Sequence, residues 1–199
     1  MTGKSTLHTQ SLGNQDAFLL NKNNKLALIA LLSDYLQQNG ITVYQATGDA
    51  DNLIVSVALN NVSLSDQTRS VAVVAEDTDI LVLLLYHRQP CMNDIYFLSE
   101  SKRGKGGRIL PGKCISVSQL QNKIGPEAYS TILATYAFGG CDTTSSIFGI
   151  GKGSIFNKIN SNKTLHQHCL TLQSHLATVD EISLTGVHFM AALYGAKNN

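Results

Sequence analysis

The stretch "VAVVAEDTDILVLLL", residues 71–85, places three carboxylates inside an otherwise apolar run, and they are Glu76, Asp77 and Asp79. We expect a buried strand over residues 71–75, followed by a helix or an extended segment. Ionised carboxylates beside a hydrophobic core are costly unless a positive charge compensates them. The stretch therefore indicates either a metal site or a strand that ends where the acids begin.

Length and composition exclude several classes of protein. The chain has 199 residues, of which 43% are hydrophobic and 15% charged, and this fits one folded domain. No run reaches the roughly 20 apolar residues of a membrane span, and the polar start has no signal-peptide core. The four cysteines form no C-x-x-C pair, which argues against a zinc ribbon or a disulfide framework. We predict an intracellular protein with reduced thiols and no membrane partner.

The charges are unevenly distributed along the chain. Residues 1–100 hold five Lys/Arg against ten Asp/Glu, a balance of −5, whereas residues 101–199 hold ten against four, a balance of +6. A metal site that faces a phosphate backbone would produce such a division. A chance asymmetry of solvated charges explains it equally well.

Apolar periodicity predicts alternating helices and strands in the first half of the chain. The predicted elements are a helix over 25–38, a strand over 41–46, a helix over 51–60 and the strand over 71–75. Strands that alternate with helices indicate an α/β fold, with a parallel sheet flanked by helices.

The second half is predicted to begin with a hairpin and to continue as helices. Residues 94–117 are predicted to form two strands joined by a basic, glycine-rich turn. Residues 118–138 are predicted to be helical, with an interruption near Gly125 and Pro126. The remainder to Tyr194 reads as helical or irregular. For the organisation of the chain we expect a polar leader or truncated remnant over 1–24 and a single domain over 25–199.

Five aspartates come after predicted strands or a long helix, and they are Asp49, Asp51, Asp77, Asp79 and Asp142. Ligands of parallel α/β sheets collect at the carboxyl ends of strands. For any one pair, helix capping is the favoured interpretation. If all five converged, each pair at about 4 Å would repel by roughly 4 kcal/mol at an effective dielectric near 20, so divalent cations would be needed. Oxygen-only ligands select Mg²⁺ or Mn²⁺, and two such ions support phosphodiester cleavage.

Three segments carry a resemblance to a known family. "GDADNLIVSVA" (48–58) resembles its G-E-A-E-A segment, "VAEDTDILVL" (74–83) its A-x-x-D-x-D segment, and "GGCDTTSSIFGIGKG" (139–153) its G-x-D-Y-x-x-x-x-x-G-I-G segment. The family is the flap endonuclease/XPG-type nucleases, a branch of the PIN-like fold. The resemblance covers residues 41–160 and is nearest to the divergent, transposon-associated branch.

The resemblance implies a site and a reaction. The five aspartates would hold two Mg²⁺ or Mn²⁺ ions, with Glu76 as a neighbour of the ligands. The reaction would be structure-selective endo- or exonucleolytic cleavage of branched or single-stranded DNA. We expect a monomer, in the nucleus rather than the cytoplasm.

A helix-hairpin-helix-like element is implied over about residues 140–160. Its glycine turn, Gly149 to Gly153, would hold a DNA phosphate and a monovalent cation, because glycines allow close backbone approach and a helix N-terminus follows. The implied contacts are Gly149, Gly151, Lys152, Gly153, Ser154 and Lys158. The alternative is a plain glycine turn between two helices.

The densest basic patch lies in the predicted hairpin, and its residues are Lys102, Arg103, Lys105 and Arg108. It is interpreted equally well as a contact to the DNA backbone and as a solvated hairpin tip.

The resemblance fails near the N-terminus, where the family has an acidic residue at the end of a first strand. Asp16 follows no predicted strand, and Asp34 lies inside the first predicted helix. We therefore expect an incomplete copy that lacks two of the family's metal ligands. The main alternative is a catalytically inactive remnant that binds nucleic acid or protein. A haloacid dehalogenase-type phosphatase with Asp77 as nucleophile fits less well, because Leu81 stands where that pattern has Ser or Thr.

Overall fold

The computed structural model describes residues 15–64, 70–103, 108–141 and 144–196. The chain divides into two compact units, Met1–Thr47 and Gly48–Asn199. Within the described ranges, no helix is long and apolar enough to cross a membrane.

The first unit contains two helices in its described part, α1 (Gln15–Leu20) and α2 (Lys22–Gln38). The predicted helix over 25–38 is confirmed within α2. The strand predicted over 41–46 is wrong, because these residues form no strand. An extended segment is stabilised as a strand by a pairing partner, and the described residues of this unit provide none.

The second unit begins with helices and strands that alternate. These are α3 (Ala50–Leu64), β1 (Val71–Val74), α4 (Thr78–His87), β2 (Ile95–Ser99), β3 (Lys102–Arg103), β4 (Ile109–Leu110) and β5 (Lys113–Ser116). Helices follow, namely α5 (Val117–Ile124), α6 (Pro126–Ser130), α7 (Ile132–Phe138), α8 (Lys152–Ser161), α9 (Lys163–Leu172) and α10 (Val179–Leu193). The predicted interruption at Gly125 and Pro126 is confirmed, and a further break falls at Thr131 between α6 and α7.

The main sheet has the strand order β1-β2-β5. Strands β1 and β2 are parallel, with Val73 opposite Phe97, and β5 pairs antiparallel with β2. The α/β class is confirmed, but the sheet is mixed and not wholly parallel as the sequence predicted. The connections differ accordingly: α4 is a crossover, which permits parallel pairing, whereas the described part of the connection from β2 to β5 forms the β3–β4 pair, and β5 returns antiparallel.

Two hydrophobic cores hold the second unit together. The first joins α3, α4 and the sheet, and includes Val55, Leu84, Ile95, Phe97 and Val117. The second joins the later helices, and includes Ala134, Ile155, Ile159, Leu165, Cys169, Phe189 and Leu193. All four cysteines are free, as the sequence predicted. Cys169 is buried in the second core, and this burial raises the pKa of its thiol to about 12.

A buried arginine ties the end of α4 to the segment before β2. Arg88, 7% exposed, donates from Nη1 to Gln121 Oε1 at 2.9 Å, from Nη2 to the Met92 carbonyl at 2.6 Å and from Nε to the Asn93 carbonyl at 3.1 Å. Its Nε also lies 4.0 Å from Asp94 Oδ1. The planar guanidinium satisfies several acceptors at once, so the charge is tolerated inside the core.

We expect Arg88→Ala to lower the free energy of unfolding by about 3 kcal/mol, because truncation leaves the buried Gln121 side chain and the Met92 and Asn93 carbonyls without their donor. Urea denaturation monitored by circular dichroism measures the change. Arg108→Ala, at an exposed arginine, is the matched control and should stay within about 0.5 kcal/mol of the unmodified chain. Equal effects of the two substitutions would contradict the structural role of Arg88.

The Asp94 carboxylate makes stability depend on pH. Partial burial raises its pKa, but donation from the Ser116 hydroxyl and the Ser118 N–H outweighs burial and brings the pKa below its ordinary value. A carboxylate with a lowered folded-state pKa contributes stability above its unfolded-state pKa and loses it as pH falls through the folded-state value. We expect the stability difference between the unmodified chain and Asp94→Asn to be full at neutral pH and to shrink below about pH 4. Unfolding measured from pH 7 down to pH 3 tests this, and a constant difference would contradict it.

Candidate functional site

An open cleft of about 330 Å³ lies between the start of α3, the helix α4 and the end of α7. Its lining residues are Asp49, Asp51, Asp79, Val82, Leu83, Leu133, Tyr136, Ala137 and Cys141. Three of the five predicted acidic residues therefore face one cavity, although they are separated by up to 30 positions in the sequence.

Asp49 and Asp51 line the cleft because they lie at the N-terminal end of α3. Asp49 Oδ1 accepts the Asp51 N–H at 3.1 Å, and its Oδ2 accepts from Asn52 Nδ2 at 3.0 Å. This is the geometry of a helix cap, and the helix dipole also favours a negative charge there. Asp51 follows in the first turn of the helix.

Asp77 and Asp79 occupy different environments despite their spacing of two. Asp77 is the N-cap of α4, with Oδ1 accepting the Asp79 N–H at 2.9 Å, and it does not belong to the cleft lining. Asp79 lines the cleft and accepts a hydrogen bond from the Tyr136 hydroxyl. The Tyr136 hydroxyl also lies 3.2 Å from Thr78 Oγ1. The capping interpretation therefore describes Asp77, while Asp79 is held towards the cleft by α7.

A lysine is stacked on the ring of this tyrosine. The Lys152 ammonium lies 3.6 Å from the centroid of the Tyr136 ring. Its stem crosses Gly139, where an added Cβ would collide with Lys152 Cγ. Only glycine leaves room for this crossing. A continuous path of contacts thus runs from the first turn of α8 through Tyr136 to Asp79.

Glu76 is turned towards the strands and not towards the cleft lining. Its Oε2 pairs with the Lys102 ammonium, and its Oε1 accepts the Glu100 N–H at 2.6 Å. The Lys102 hydrogen bond, followed by that from Glu100, holds the pKa of Glu76 below its ordinary value. Lys102, a predicted contact to DNA, is therefore engaged by a carboxylate of the same chain.

The predicted glycine turn precedes α8, as the sequence indicated. Gly149 has a φ of +75°, and a Cβ added at Gly149, Gly151 or Gly153 would meet nothing within 4 Å. Gly151 caps α8 without a side-chain hydrogen bond, and the Ser154 N–H donates to the Gly151 carbonyl at 2.9 Å. The backbone of the turn is thus uncovered on its outer side.

Lys158, the second lysine predicted to contact nucleic acid, points back into the fold. Its ammonium donates to the Leu193 carbonyl at the end of α10. A cation is favourable there because it faces the negative end of a helix dipole.

Several predicted residues fall outside the described part of the chain. They are Asp142, Lys105 and the side chain of Arg103. Cys141, which immediately precedes Asp142, lines the cleft.

The donor chemistry of the cleft fits a hard divalent cation, because carboxylate oxygens are the donors that Mg²⁺ and Mn²⁺ prefer. The number of donors does not reach a complete centre within the described ranges, where no group of three or more His, Cys, Asp or Glu side chains could hold a metal ion. The cleft therefore matches these cations in the type of its donor atoms, and a full coordination shell would need further oxygen ligands.

Sequence reasoning missed Tyr136 and the contact between Lys152 and its ring. No local pattern marks Tyr136, since its partner Asp79 lies 57 positions earlier. The glycine pair at 139–140 was a usable signal, because consecutive glycines after a helix often permit close approach of another segment.

The fold and the cleft define the class of this protein as a mixed α/β domain with an acidic cleft at one end of its crossover helix. No protein-family model, curated protein or solved structure matches the chain. The resemblance to flap endonuclease/XPG-type nucleases remains a prediction carried by its three sequence segments.

We expect Tyr136→Phe to lower the free energy of unfolding by about 1.5 kcal/mol, because Asp79 then loses a donor in a partly enclosed site. Thermal or urea unfolding measures the change. Tyr129→Phe, at another half-buried tyrosine of the same helical region, is the matched control. A loss as large in the control would show that the Asp79 hydrogen bond contributes nothing specific.

Proposed function

We propose that this protein is a Mg²⁺- or Mn²⁺-dependent phosphodiester hydrolase that acts on branched or single-stranded DNA. The observation that carries the proposal is the convergence of Asp49, Asp51 and Asp79 on one open cleft. Carboxylates that approach one another in such a cleft would repel, and a divalent cation would compensate them. Asp142 follows Cys141 of the cleft lining and is the further ligand that the proposal requires.

In the proposed site, Asp49, Asp51, Asp79 and Asp142 would hold the cation, and Asp77 would support Asp79 from the cap of α4. A divalent cation bound there supplies an acidified water and a polarised phosphate oxygen. Tyr136 fixes the orientation of Asp79 by donating to Oδ1. The open shape of the cleft leaves room for a phosphodiester backbone, which a closed pocket would exclude.

The uncovered glycine turn is the proposed contact for the DNA backbone. Gly149, Gly151 and Gly153 present main chain without side chains above it, and the N-terminus of α8 favours an anion. Lys152 lies in the first turn of the same helix and contacts Tyr136 of the cleft. The backbone contact and the proposed hydrolytic site are therefore joined through one side chain.

The second candidate is a nucleic-acid-binding module without catalytic activity. It is favoured by the lack, within the described residues, of a three-ligand metal group. Such a module would use the glycine turn in the same way and would retain the acidic cleft as helix caps.

Cleavage of a labelled flap or single-stranded DNA separates the two candidates. With Mg²⁺ or Mn²⁺ we expect cleavage by the unmodified chain and a rate at least about a hundredfold lower in Asp79→Asn, which removes one charged oxygen from the cleft. Asp180→Asn, at an exposed acid in the first turn of α10, is the matched control and should cleave normally.

Metal binding gives a readout that is independent of activity. Saturating Mn²⁺ should raise the melting temperature of the unmodified chain by about 5 °C, because binding to the folded state stabilises it. The shift should disappear in Asp79→Asn and persist in Asp180→Asn. If neither cleavage nor the melting temperature responded to the metal while DNA binding was retained, the enzyme proposal would be wrong. The protein would then be the binding module.

A further inference from the structure

Phe148, directly before the glycine turn, is 90% exposed. A phenylalanine in this position leaves a large apolar surface in water, and packing within the fold does not explain it. Its chain neighbours Ser145, Ser146 and Gly149 are also exposed and are not apolar. A docking surface for another protein would present several contiguous apolar side chains, whereas within residues 144–149 Phe148 is the exposed apolar side chain.

The backbone that carries this ring is fixed on both sides. The Ile147 N–H donates to the Phe138 carbonyl at 3.3 Å, and the Ile150 N–H donates to the Ile147 carbonyl at 3.3 Å. Ile147 and Ile150 both pack against the second hydrophobic core. The turn is thus anchored by its two isoleucines while Phe148 between them points outward.

A second aromatic residue lies beside the turn. The Tyr194 hydroxyl donates to the Phe148 carbonyl at 3.1 Å, and Tyr194 is itself 58% exposed. The uncovered backbone of Gly149, Gly151 and Gly153 continues the same surface along the chain. Aromatic rings next to uncovered main chain form a surface on which a nucleobase stacks while its backbone runs past the glycines.

A short path of bonds joins the backbone of Phe148 to the acidic cleft. Ala137 of the cleft lining precedes Phe138, and Phe138 is hydrogen-bonded to Ile147, the residue before Phe148. Standard bond lengths along this path place the Cα atoms of Ala137 and Phe148 within roughly 15 Å. One bound strand can therefore reach both features.

We propose that Phe148 is a stacking platform for an unpaired base of single-stranded nucleic acid held at the glycine turn. This inference rests on the proposed function, because it assumes that the turn binds a nucleic-acid backbone. It adds that recognition favours an unpaired strand, since a base inside a duplex has no free face for the ring. The occupant is a base and not an apolar peptide, because the exposed side chains at the turn are the aromatic Phe148 and Tyr194 with serines beside them, and flat rings beside uncovered main chain suit a stacked base.

The composition of the chain allows a direct optical test. The protein contains no tryptophan, so Phe148→Trp introduces a single indole fluorophore at the proposed platform. Leu176→Trp, at an 81% exposed position between α9 and α10, is the matched control. Titration with a short oligodeoxythymidylate in EDTA, where the proposed cleavage cannot proceed, should quench the indole emission of Phe148→Trp and leave that of Leu176→Trp unchanged. A blunt duplex of the same length should quench the emission of Phe148→Trp much less.

The affinity of variants without tryptophan is measured in the same titration from the fluorescence of a dye attached to the oligonucleotide. We expect Phe148→Ala to weaken single-strand affinity about tenfold, as loss of one stacked base does. Phe148→Tyr keeps an aromatic ring and should bind the single strand as tightly as the unmodified chain. Far-ultraviolet circular dichroism and urea unfolding of each variant show whether it remains folded.

The outcomes distinguish this inference from the proposed function. Unchanged affinity in Phe148→Ala and unquenched emission in Phe148→Trp, with Mg²⁺-dependent cleavage intact, would overturn the stacking platform alone. Quenched emission in Phe148→Trp without any cleavage would support the platform and overturn the enzyme. No single-strand binding by the unmodified chain would overturn the platform. If the emission of Phe148→Trp changed with protein concentration in the absence of oligonucleotide, the ring would instead be a contact between copies of the chain.

Discussion

Parallel pairing of β1 with β2 is the constraint on which the acidic end of the molecule depends. Two parallel strands must be joined by a crossover, and α4 provides it by burying Ile80, Leu84 and Leu85. Both strands consequently end at the same edge, where the Ala75 N–H still donates to the Leu98 carbonyl. The acids that follow Ala75 can only emerge at this edge, and the first turn of α4 then directs Asp79 towards α7.

The chain tolerates its carboxylates because most of them are matched by donors from nearby in the fold. Asp49 and Asp77 are held by backbone N–H groups at helix starts, Asp79 by Tyr136 and Glu76 by Lys102. Capping and metal binding are therefore not exclusive interpretations of this pattern. A cap fixes the carboxylate near the dipole of its helix, while Asp79, within the first turn, remains directed at the cleft.

The two hydrophobic cores have different roles in assembling the site. The first positions α3 and α4, and with them the acids of the cleft. The second positions the glycine turn through Ile147 and Ile150. Lys152, Tyr136 and Asp79 link the two regions by a cation–π contact and a hydrogen bond. The relation between the proposed catalytic and strand-binding surfaces thus depends on how α7 and α8 pack, and small changes at Gly139 would alter it.

The sequence by itself predicted the helices over 25–38 and 51–60, the strand over 71–75 and the break at Gly125–Pro126, because apolar periodicity and special backbone residues act over a few positions. It also indicated which acids could meet, and three of them line one cleft. It could not settle residues 41–46, since an alternating apolar pattern becomes a strand only with a partner. Tertiary structure alone decided that Tyr136 holds Asp79 and that Lys152 covers Tyr136. These contacts join residues far apart in the sequence, and they form only when the packing of whole helices brings the side chains together.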